Sequence, residues 1–150
     1  MNTIEVEFIH SFDGGEVLSL LSHCEARGSH LVLEDNRLFD LGIWGTIIFM
    51  KATINGKYVG GCLLSNSEDS IQEKLFALYV LPNFRRMGVA KYLIQEALSY
   101  HNQKESVSLS TNSVLVEDIS IKLGFEKGEI KISEYSGLPE VALTYYMEDN

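Results

Sequence analysis

The chain has 150 residues, of which 45% are hydrophobic, so it can bury a substantial core without structural metals or disulfides. No proline-rich linker or internal repeat divides it, and we expect a single domain over residues 1–150. Twenty-one acidic residues against twelve basic ones give a net charge of −9, which disfavours nonspecific binding to nucleic acid and favours a cationic substrate.

Neither a membrane segment nor a metal site is expected. No segment approaches the run of about 20 apolar residues that spans a bilayer. The first residues include Glu5 and Glu7 in place of the basic stretch of a signal peptide, so we expect a cytoplasmic protein. Cys24 and Cys62 lack metal-ligand spacing and are expected to pack as small apolar groups, and the four histidines are dispersed.

The N-terminal region predicts a strand followed by a helix. Thr3 to Ile9 alternates apolar and polar residues, which is typical of a half-exposed strand. Ser11 or Asp13 can cap a helix that ends near Gly28.

A hairpin is predicted next. Ile47 to Ile54 and Tyr58 to Leu64 both have the composition of strands. They are joined by Asn55-Gly56-Lys57, which favours a tight turn because Asn and Gly tolerate positive φ angles.

The most informative segment of the chain begins at residue 75. Leu75 to Leu81 is almost wholly apolar and ends at Pro82, a pattern typical of a central strand that is covered on both faces. Arg85 and Arg86 follow at the start of a predicted amphipathic helix. The apolar positions of that helix are Val89, Ala90, Leu93, Ile94, Ala97 and Leu98.

The start of this helix is suited to an anion. The N–H groups of a first helical turn lack internal partners, and the helix dipole adds about half a positive charge there. Gly88 and Ala90 have little or no side chain, so a phosphate can approach the backbone closely. Arg85 and Arg86 can neutralise the remaining charge. The sequence therefore predicts a site for a pyrophosphate group.

The last part of the chain predicts three strands and a helix. The strands are Ser106 to Ser110, Phe125 to Ser133 and Glu140 to Met147. The helix runs from Ser113 to Leu123 and is ended by Gly124. The order of these strands and helices favours an α/β sandwich around one sheet. The last strand suits either the interior of the sheet or a dimer edge, so a homodimer is one alternative.

The segment after the central strand resembles the GNAT superfamily of acyl-CoA-dependent N-acyltransferases. The pyrophosphate motif of that family is Arg or Gln, two residues, Gly, one residue, then Gly or Ala, and Arg85, Gly88 and Ala90 match it here. The end of the next helix, Lys122-Leu123-Gly124-Phe125, is also similar to the family. The resemblance implies a single GNAT-like domain of the α/β class, with a mixed, mostly antiparallel sheet of about seven strands flanked by helices.

The resemblance implies acetyl-CoA as cosubstrate. Its pantetheine arm would pair with the backbone at Leu78, Tyr79 and Val80, in a cleft where the Leu75 strand splays from the Ser106 strand. Its pyrophosphate would bind the N–H groups from Arg86 to Lys91. The implied contact residues are Leu78, Tyr79, Val80, Arg85, Arg86, Met87, Gly88, Val89, Ala90, Lys91, Asn112 and Ser113. A backbone N–H near Tyr79 would polarise the thioester carbonyl.

Three positions depart from the family pattern. Ser113 occupies the usual place of an Asn, with Asn112 one residue earlier. Ser120 occupies the place of the Tyr that commonly protonates the departing thiolate, and a Ser hydroxyl is a much weaker acid than a phenol. Ser108 stands where some members carry a Glu base.

The catalytic groups therefore have to be sought elsewhere. A water held by Ser120 could deliver the proton, or the phenol of Tyr79 or Tyr135 could do so. Glu73 and Glu117 are possible bases for deprotonating the amine, and each has the alternative role of a solvent-facing carboxylate. Glu73 and Ser120 are the predicted catalytic residues.

Three function classes remain open from the sequence. The first is an acetyl-CoA-dependent N-acetyltransferase for a primary amine, either a small molecule or a protein amine. The second is a CoA-binding module without turnover. The third is an interaction protein that binds another anion at Arg85 and Arg86. The resemblance implies that the acceptor is set by about residues 28–44 and 133–140, which contain several carboxylates and aromatic residues.

Overall fold

A computed structural model describes residues 3–9, 47–65, 72–100, 105–132 and 138–147 of this chain. Within these ranges it contains seven strands and two α-helices. The strands are β1 (Ile4–Ile9), β2 (Ile47–Ile54), β3 (Lys57–Ser65), β4 (Gln72–Val80), β5 (Ser106–Thr111), β6 (Glu126–Ile132) and β7 (Pro139–Tyr146). The helices are α1 (Val89–Ser99) and α2 (Val114–Lys122).

The strands form one sheet in the order β1-β2-β3-β4-β5-β7-β6. Every neighbouring pair is antiparallel except β4 and β5, which are parallel. The predicted α/β class and the mixed, mostly antiparallel sheet are therefore confirmed. Because α1 connects the two parallel strands, its N-terminus lies at the carboxyl end of β4.

The two parallel strands are paired over a short distance only. Gln72, Glu73 and Lys74 of β4 lie opposite residues 106–108 of β5, and the ladder stops there. Beyond that point β4 continues to Val80 and β5 continues to Thr111 without pairing with each other. The centre of the sheet therefore splits towards the carboxyl ends of these strands, as predicted for the Leu75 and Ser106 strands.

Helix α1 covers one face of the sheet through its apolar stripe. Val89, Leu93, Ile94 and Ala97 are buried, and they pack in one core with Leu75 and with alternate residues of β2, β3, β5 and β7. The helix begins at Val89, not at Arg86 as predicted. The physical reason is the backbone: Arg86 and Gly88 have φ angles of 66° and 82°, which are incompatible with a right-handed helix.

The hairpin between β2 and β3 is confirmed, with a shorter turn than predicted. Asn55 and Gly56 have φ angles of 52° and 79°, as a two-residue hairpin turn of this type requires. Lys57 is the first residue of β3 and pairs with Ile54. The predicted helix from Ser11 or Asp13 to Gly28 lies outside the described residues.

The last strand lies inside the sheet. Strand β7 pairs with β5 on one side and with β6 on the other, so the alternative of a dimer edge at β7 is wrong. Among the described strands β6 forms that edge, and all its residues are exposed. None of the helices that the structure describes is long and apolar enough to cross a membrane.

Close contact between β3 and β4 depends on a residue without a side chain. A Cβ added at Gly60 would lie 2.6 Å from the carbonyl oxygen of Tyr79 and 3.1 Å from the Cα of Val80. Both atoms belong to the backbone of β4 and cannot rotate away.

We therefore expect Gly60→Ala to lower the free energy of unfolding by about 2 kcal/mol, because the two strands must move apart. Urea denaturation measures this loss. The matched control is Gly128→Ala in β6, whose added Cβ would meet its nearest atom at 3.3 Å. Its cost should stay below about 1 kcal/mol. Equal stability losses in the two variants would contradict this account of the β3–β4 contact.

Candidate functional site

A cleft of about 460 Å³ lies where β4 and β5 separate. Its walls come from the ends of both strands, from the turn after β4 and from the first turns of α1 and α2. The described lining residues are Leu75, Leu78, Tyr79, Val80, Phe84, Arg85, Arg86, Gly88, Val89, Ala90, Lys91, Ile94, Leu109, Ser110, Thr111, Asn112, Ser113, Leu115, Val116, Ile119 and Glu140. The cleft thus combines an apolar interior with a basic rim.

The turn after β4 holds two residues in left-handed conformations. A short 3₁₀ turn over Pro82–Phe84 is followed by Arg86 at φ 66° and Gly88 at φ 82°. Left-handed backbone costs a residue with a side chain about 1–2 kcal/mol, so Arg86 is strained. Strain of this kind is concentrated at functional sites, where the surrounding structure maintains it.

This turn leads directly into the N-terminus of α1. Gly88 precedes the helix, and the first N–H to close a helical bond is that of Tyr92, 2.9 Å from the carbonyl oxygen of Gly88. No side chain in the described part of the chain caps this end, and its first turn has no acidic residue. The N–H groups of Val89, Ala90 and Lys91 therefore remain available to an anion.

Arg85 is held against β4. Its Nε donates a hydrogen bond to the carbonyl oxygen of Val80 at 3.1 Å, and its guanidinium carbon lies 5.4 Å from the centre of the Tyr79 ring. The cation–π contact and the hydrogen bond fix the side chain at the carboxyl end of the strand. Its charge is thereby positioned at the rim of the cleft.

A β-bulge distorts β4 beside the cleft. Tyr79 lies opposite Gly61 and Phe76 lies opposite Leu63, so β4 has one more residue than β3 in this interval. Bulges redirect backbone groups and are common next to active sites. Leu78 and Val80 consequently pack with the core beneath α1, while Tyr79 is on the other face.

The opposite wall is built around the N-terminus of α2. The Ser113 hydroxyl accepts a hydrogen bond from the Val116 N–H at 3.3 Å, and the Thr111 hydroxyl accepts one from the Ser113 N–H at 3.0 Å. Ser113 is therefore the N-cap of α2. Glu117 forms an ion pair with Lys127 of β6 at 2.9 Å, which ties its carboxylate to the sheet.

The cleft brings together all the residues predicted to contact acetyl-CoA except Met87. Met87 lies within the turn, with 42% of its surface exposed, but does not line the cleft. The roles of all these residues in binding acetyl-CoA remain predictions.

Neither predicted catalytic residue lines the cleft. Glu73 is fully buried at the opposite end of β4, about 20 Å along the strand from Tyr79. Burial raises the pKa of the Tyr100 phenol, and the charge of Glu73 adds to this rise, which places Glu73 near the end of α1. Ser120 is also fully buried, on α2, and its hydroxyl has no hydrogen-bond partner among the residues that the structure describes. Tyr135 lies outside the described residues.

Several lining residues were not found by sequence reasoning. Val116 and Ile119 have the i, i+3 spacing of an inward helix face, a signal that could have identified them. Glu140 was expected only as the boundary of an acceptor loop, and nothing local in the sequence distinguishes it from other carboxylates. Ser110 and Thr111 reach the cleft because β5 extends past its ladder with β4.

The buried thiol of Cys62 is not part of this site. Its sulfur lies 3.6 Å from that of Met50, within the core. Burial raises the pKa of the Cys62 thiol far above its usual range, so the thiolate that a nucleophile requires does not form.

Comparison with solved structures shows that this fold recurs in other proteins. Ard1 from Thermoplasma volcanium is 21% identical, with a TM-score of 0.69 and 99% of each chain covered. Escherichia coli ElaA is 15% identical, with a TM-score of 0.70 and coverage of 95% of this chain and 99% of that chain.

Arabidopsis thaliana NAA60, solved in complex with a bisubstrate analogue, is 16% identical. Its TM-score is 0.66, with 96% of this chain and 98% of that chain covered. No curated protein sequence matches this chain. The sequence model of the Acetyltransferase (GNAT) family matches residues 16–118, more than half of the chain. The chain therefore belongs to the GNAT acetyltransferase family.

Proposed function

We propose that this protein is an acetyl-CoA-dependent N-acetyltransferase that transfers the acetyl group directly to a primary amine. One observation carries the proposal: the cleft between the separated ends of β4 and β5 terminates at a basic turn and an uncapped helix N-terminus. Membership of the GNAT family supports acetyl transfer in general. NAA60, a structural neighbour, binds a bisubstrate analogue, which is consistent with such a cleft.

The turn supplies the contacts for the pyrophosphate of CoA. Arg86 and Gly88 adopt left-handed conformations, which lets consecutive N–H groups converge on one anion. The free N–H groups at the start of α1 continue this surface, and Lys91 and Arg86 add positive charge at the lining. Arg85 contributes its remaining guanidinium N–H groups from a fixed position.

The separated strands supply the contacts for the pantetheine arm. The backbone of β4 from Leu78 to Val80 lies beyond the ladder with β5, so its polar groups on that side, apart from the Val80 carbonyl that accepts from Arg85, can pair with an extended amide chain. The bulge beside Tyr79 changes the direction of the β4 backbone, and an N–H of this segment would stabilise the oxyanion formed by amine attack. Attack forms the C–N bond, and collapse of the intermediate breaks the C–S bond.

Tyr79 is the residue that we assign to protonate the departing thiolate. It is the only phenol among the described residues that line the cleft. A phenol is a far stronger acid than the Ser120 hydroxyl, which is buried away from the lining. The amine gives up its proton to solvent water in this proposal, because the Glu73 carboxylate is buried in the core far from the cleft.

A CoA-binding module without turnover is the second candidate. It is favoured by the burial of Ser120 outside the cleft and by the presence of Ser108 at the family position of a Glu base.

The experiment that separates the two functions measures thiol release from acetyl-CoA in the presence of polyamines, aminoglycosides, amino acids or peptides. Calorimetry of CoA binding is done on the same sample. Amine-dependent thiol release supports the transferase, and CoA binding without it supports the module.

The basic turn gives the first prediction for this function. Arg85→Ala combined with Gly88→Asp should weaken CoA binding at least about 100-fold in calorimetry, because it removes one cation and introduces a carboxylate beside the pyrophosphate. The control for backbone strain is Gly88→Ala, which places a side chain at the same positive φ angle without adding a charge. Its loss of affinity should be clearly smaller. Undiminished CoA affinity in the double variant would contradict the pyrophosphate assignment.

Ser120 and Tyr79 give the second prediction. Ser120→Ala should raise the free energy of unfolding by about 1–2 kcal/mol, since it removes a buried hydroxyl without a partner and improves helix propensity. Its kcat should stay within about twofold of the wild type, whereas Tyr79→Phe should lose about 10²-fold or more. Urea denaturation and the thiol assay provide the two readouts. A large loss of kcat in Ser120→Ala with normal CoA binding would return the acid role to Ser120.

A further inference from the structure

Strand β6 is an open edge of the sheet among the strands that the structure describes. All its residues are exposed, and it pairs with β7 on one side only. The backbone N–H and C=O groups on its outer side are therefore available to a further strand. Proteins often protect such an edge with charged side chains, so the charge pattern of β6 determines which strand it can accept.

Two exposed isoleucines of β6 lie on the face of the sheet that the helices cover. Ile130 lies opposite Val141, which belongs to the core under the helices, and directly opposite residues share a face. Ile132 is two residues further along the strand and so lies on the same face. The two side chains are 66% and 63% exposed. Exposed apolar side chains beside an open strand edge are typical of a protein contact surface.

Helix α2 adds a third exposed apolar residue on the same side. Glu117 of α2 forms an ion pair with Lys127 of β6, and the short connection between the two elements makes them antiparallel. Val114 is one turn before Glu117, so it lies further in the direction of Ile130. Val114 is also largely exposed. The helix side of the open edge is therefore apolar beyond the ion pair.

The opposite face of the same segment carries one acid and one base. Glu129 and Lys131 flank Ile130 in the sequence, so their side chains lie on the face away from the helices. Both are exposed. Within the described part of the chain neither forms an ion pair, although Lys131 lies opposite Glu140 of β7. The segment thus presents charges of both signs, two residues apart, on either side of an isoleucine.

We infer that β6 pairs in antiparallel orientation with β6 of a second copy of this chain, about a twofold axis at Ile130. In this register Ile130 lies opposite Ile130 of the partner subunit, and Glu129 lies opposite Lys131 of the partner subunit. The twofold axis repeats the second pair, so two pairs of opposite charge form on one face and an apolar contact forms on the other. The inference does not depend on the proposed function.

The charges of β6 select this register over its neighbours. An axis at Lys131 would place the two copies of Lys131 opposite each other, and an axis at Glu129 would do the same for Glu129. Like charges directly opposite each other destabilise a strand pair. The charged residues that would repel many foreign strands are thus complementary to a second copy of the same strand, because the acid and the base are placed symmetrically about Ile130.

Sedimentation equilibrium of the whole chain tests the inference by measuring the dimer dissociation constant. We expect the wild type to dimerise reversibly. Lys131→Glu places carboxylates opposite each other at both repeats of the pair, and Glu129→Lys places ammonium groups there. Each single variant should therefore weaken dimerisation at least about tenfold. The matched control is Lys74→Glu, which makes the same change of charge at an exposed position of β4 and should dimerise as the wild type does.

The two substitutions together test the register itself. The double variant E129K/K131E exchanges the two charges and recreates both pairs, so its dissociation constant should return to within about threefold of the wild type. An equimolar mixture of the two single variants should form a heterodimer, because each supplies the charge that the other lacks. Urea denaturation verifies that these exposed substitutions leave the fold intact.

Each contrary result would overturn the inference in its own way. A wild type that stays monomeric up to about 0.5 mM would show that β6 does not pair with a second copy and would leave a foreign strand as the occupant of this edge. A dimer that neither single variant weakens would place the interface elsewhere. Folded single variants that dimerise weakly and are not rescued by the double variant would contradict the axis at Ile130.

Discussion

The constraint on which the site depends is the short ladder between β4 and β5. Two adjacent parallel strands normally satisfy each other's backbone along their shared length, and here pairing stops after Lys74. The strands beyond it present polar groups to a cleft with an apolar interior, where unsatisfied polar groups are costly. An extended ligand with its own amides is the natural complement. The bulge opposite Gly61 and Leu63 adds to the separation by changing the direction of β4.

Local patterns predicted most of the fold because each depends on neighbouring residues. The hairpin follows from Asn55 and Gly56, and α1 follows from an apolar stripe of helical period. The start of α1 was placed too early because hydrophobic periodicity does not report φ angles. A Gly at position 88 is compatible with both right-handed helical and left-handed backbone. The left-handed conformation of Arg86 has no sequence signature of its own. The basic turn was nevertheless located correctly.

The structure differs from the expectations at positions that only the tertiary structure defines. Glu73 precedes the apolar run that borders the cleft, but the direction of β4 places it at the far end of the strand. Ser120 occupies the family position of a phenol, yet a side chain this short remains inside the core. The order of β7 and β6 likewise follows from pairing partners, although the alternating charges of Glu126 to Lys131 are typical of an edge strand.

Net charge and site charge have different consequences here. At −9 the whole protein repels an anionic cosubstrate, but at physiological ionic strength the Debye length is only about 8 Å. Within that distance the local groups dominate, and at the turn they are Arg85, Arg86 and the N-terminus of α1.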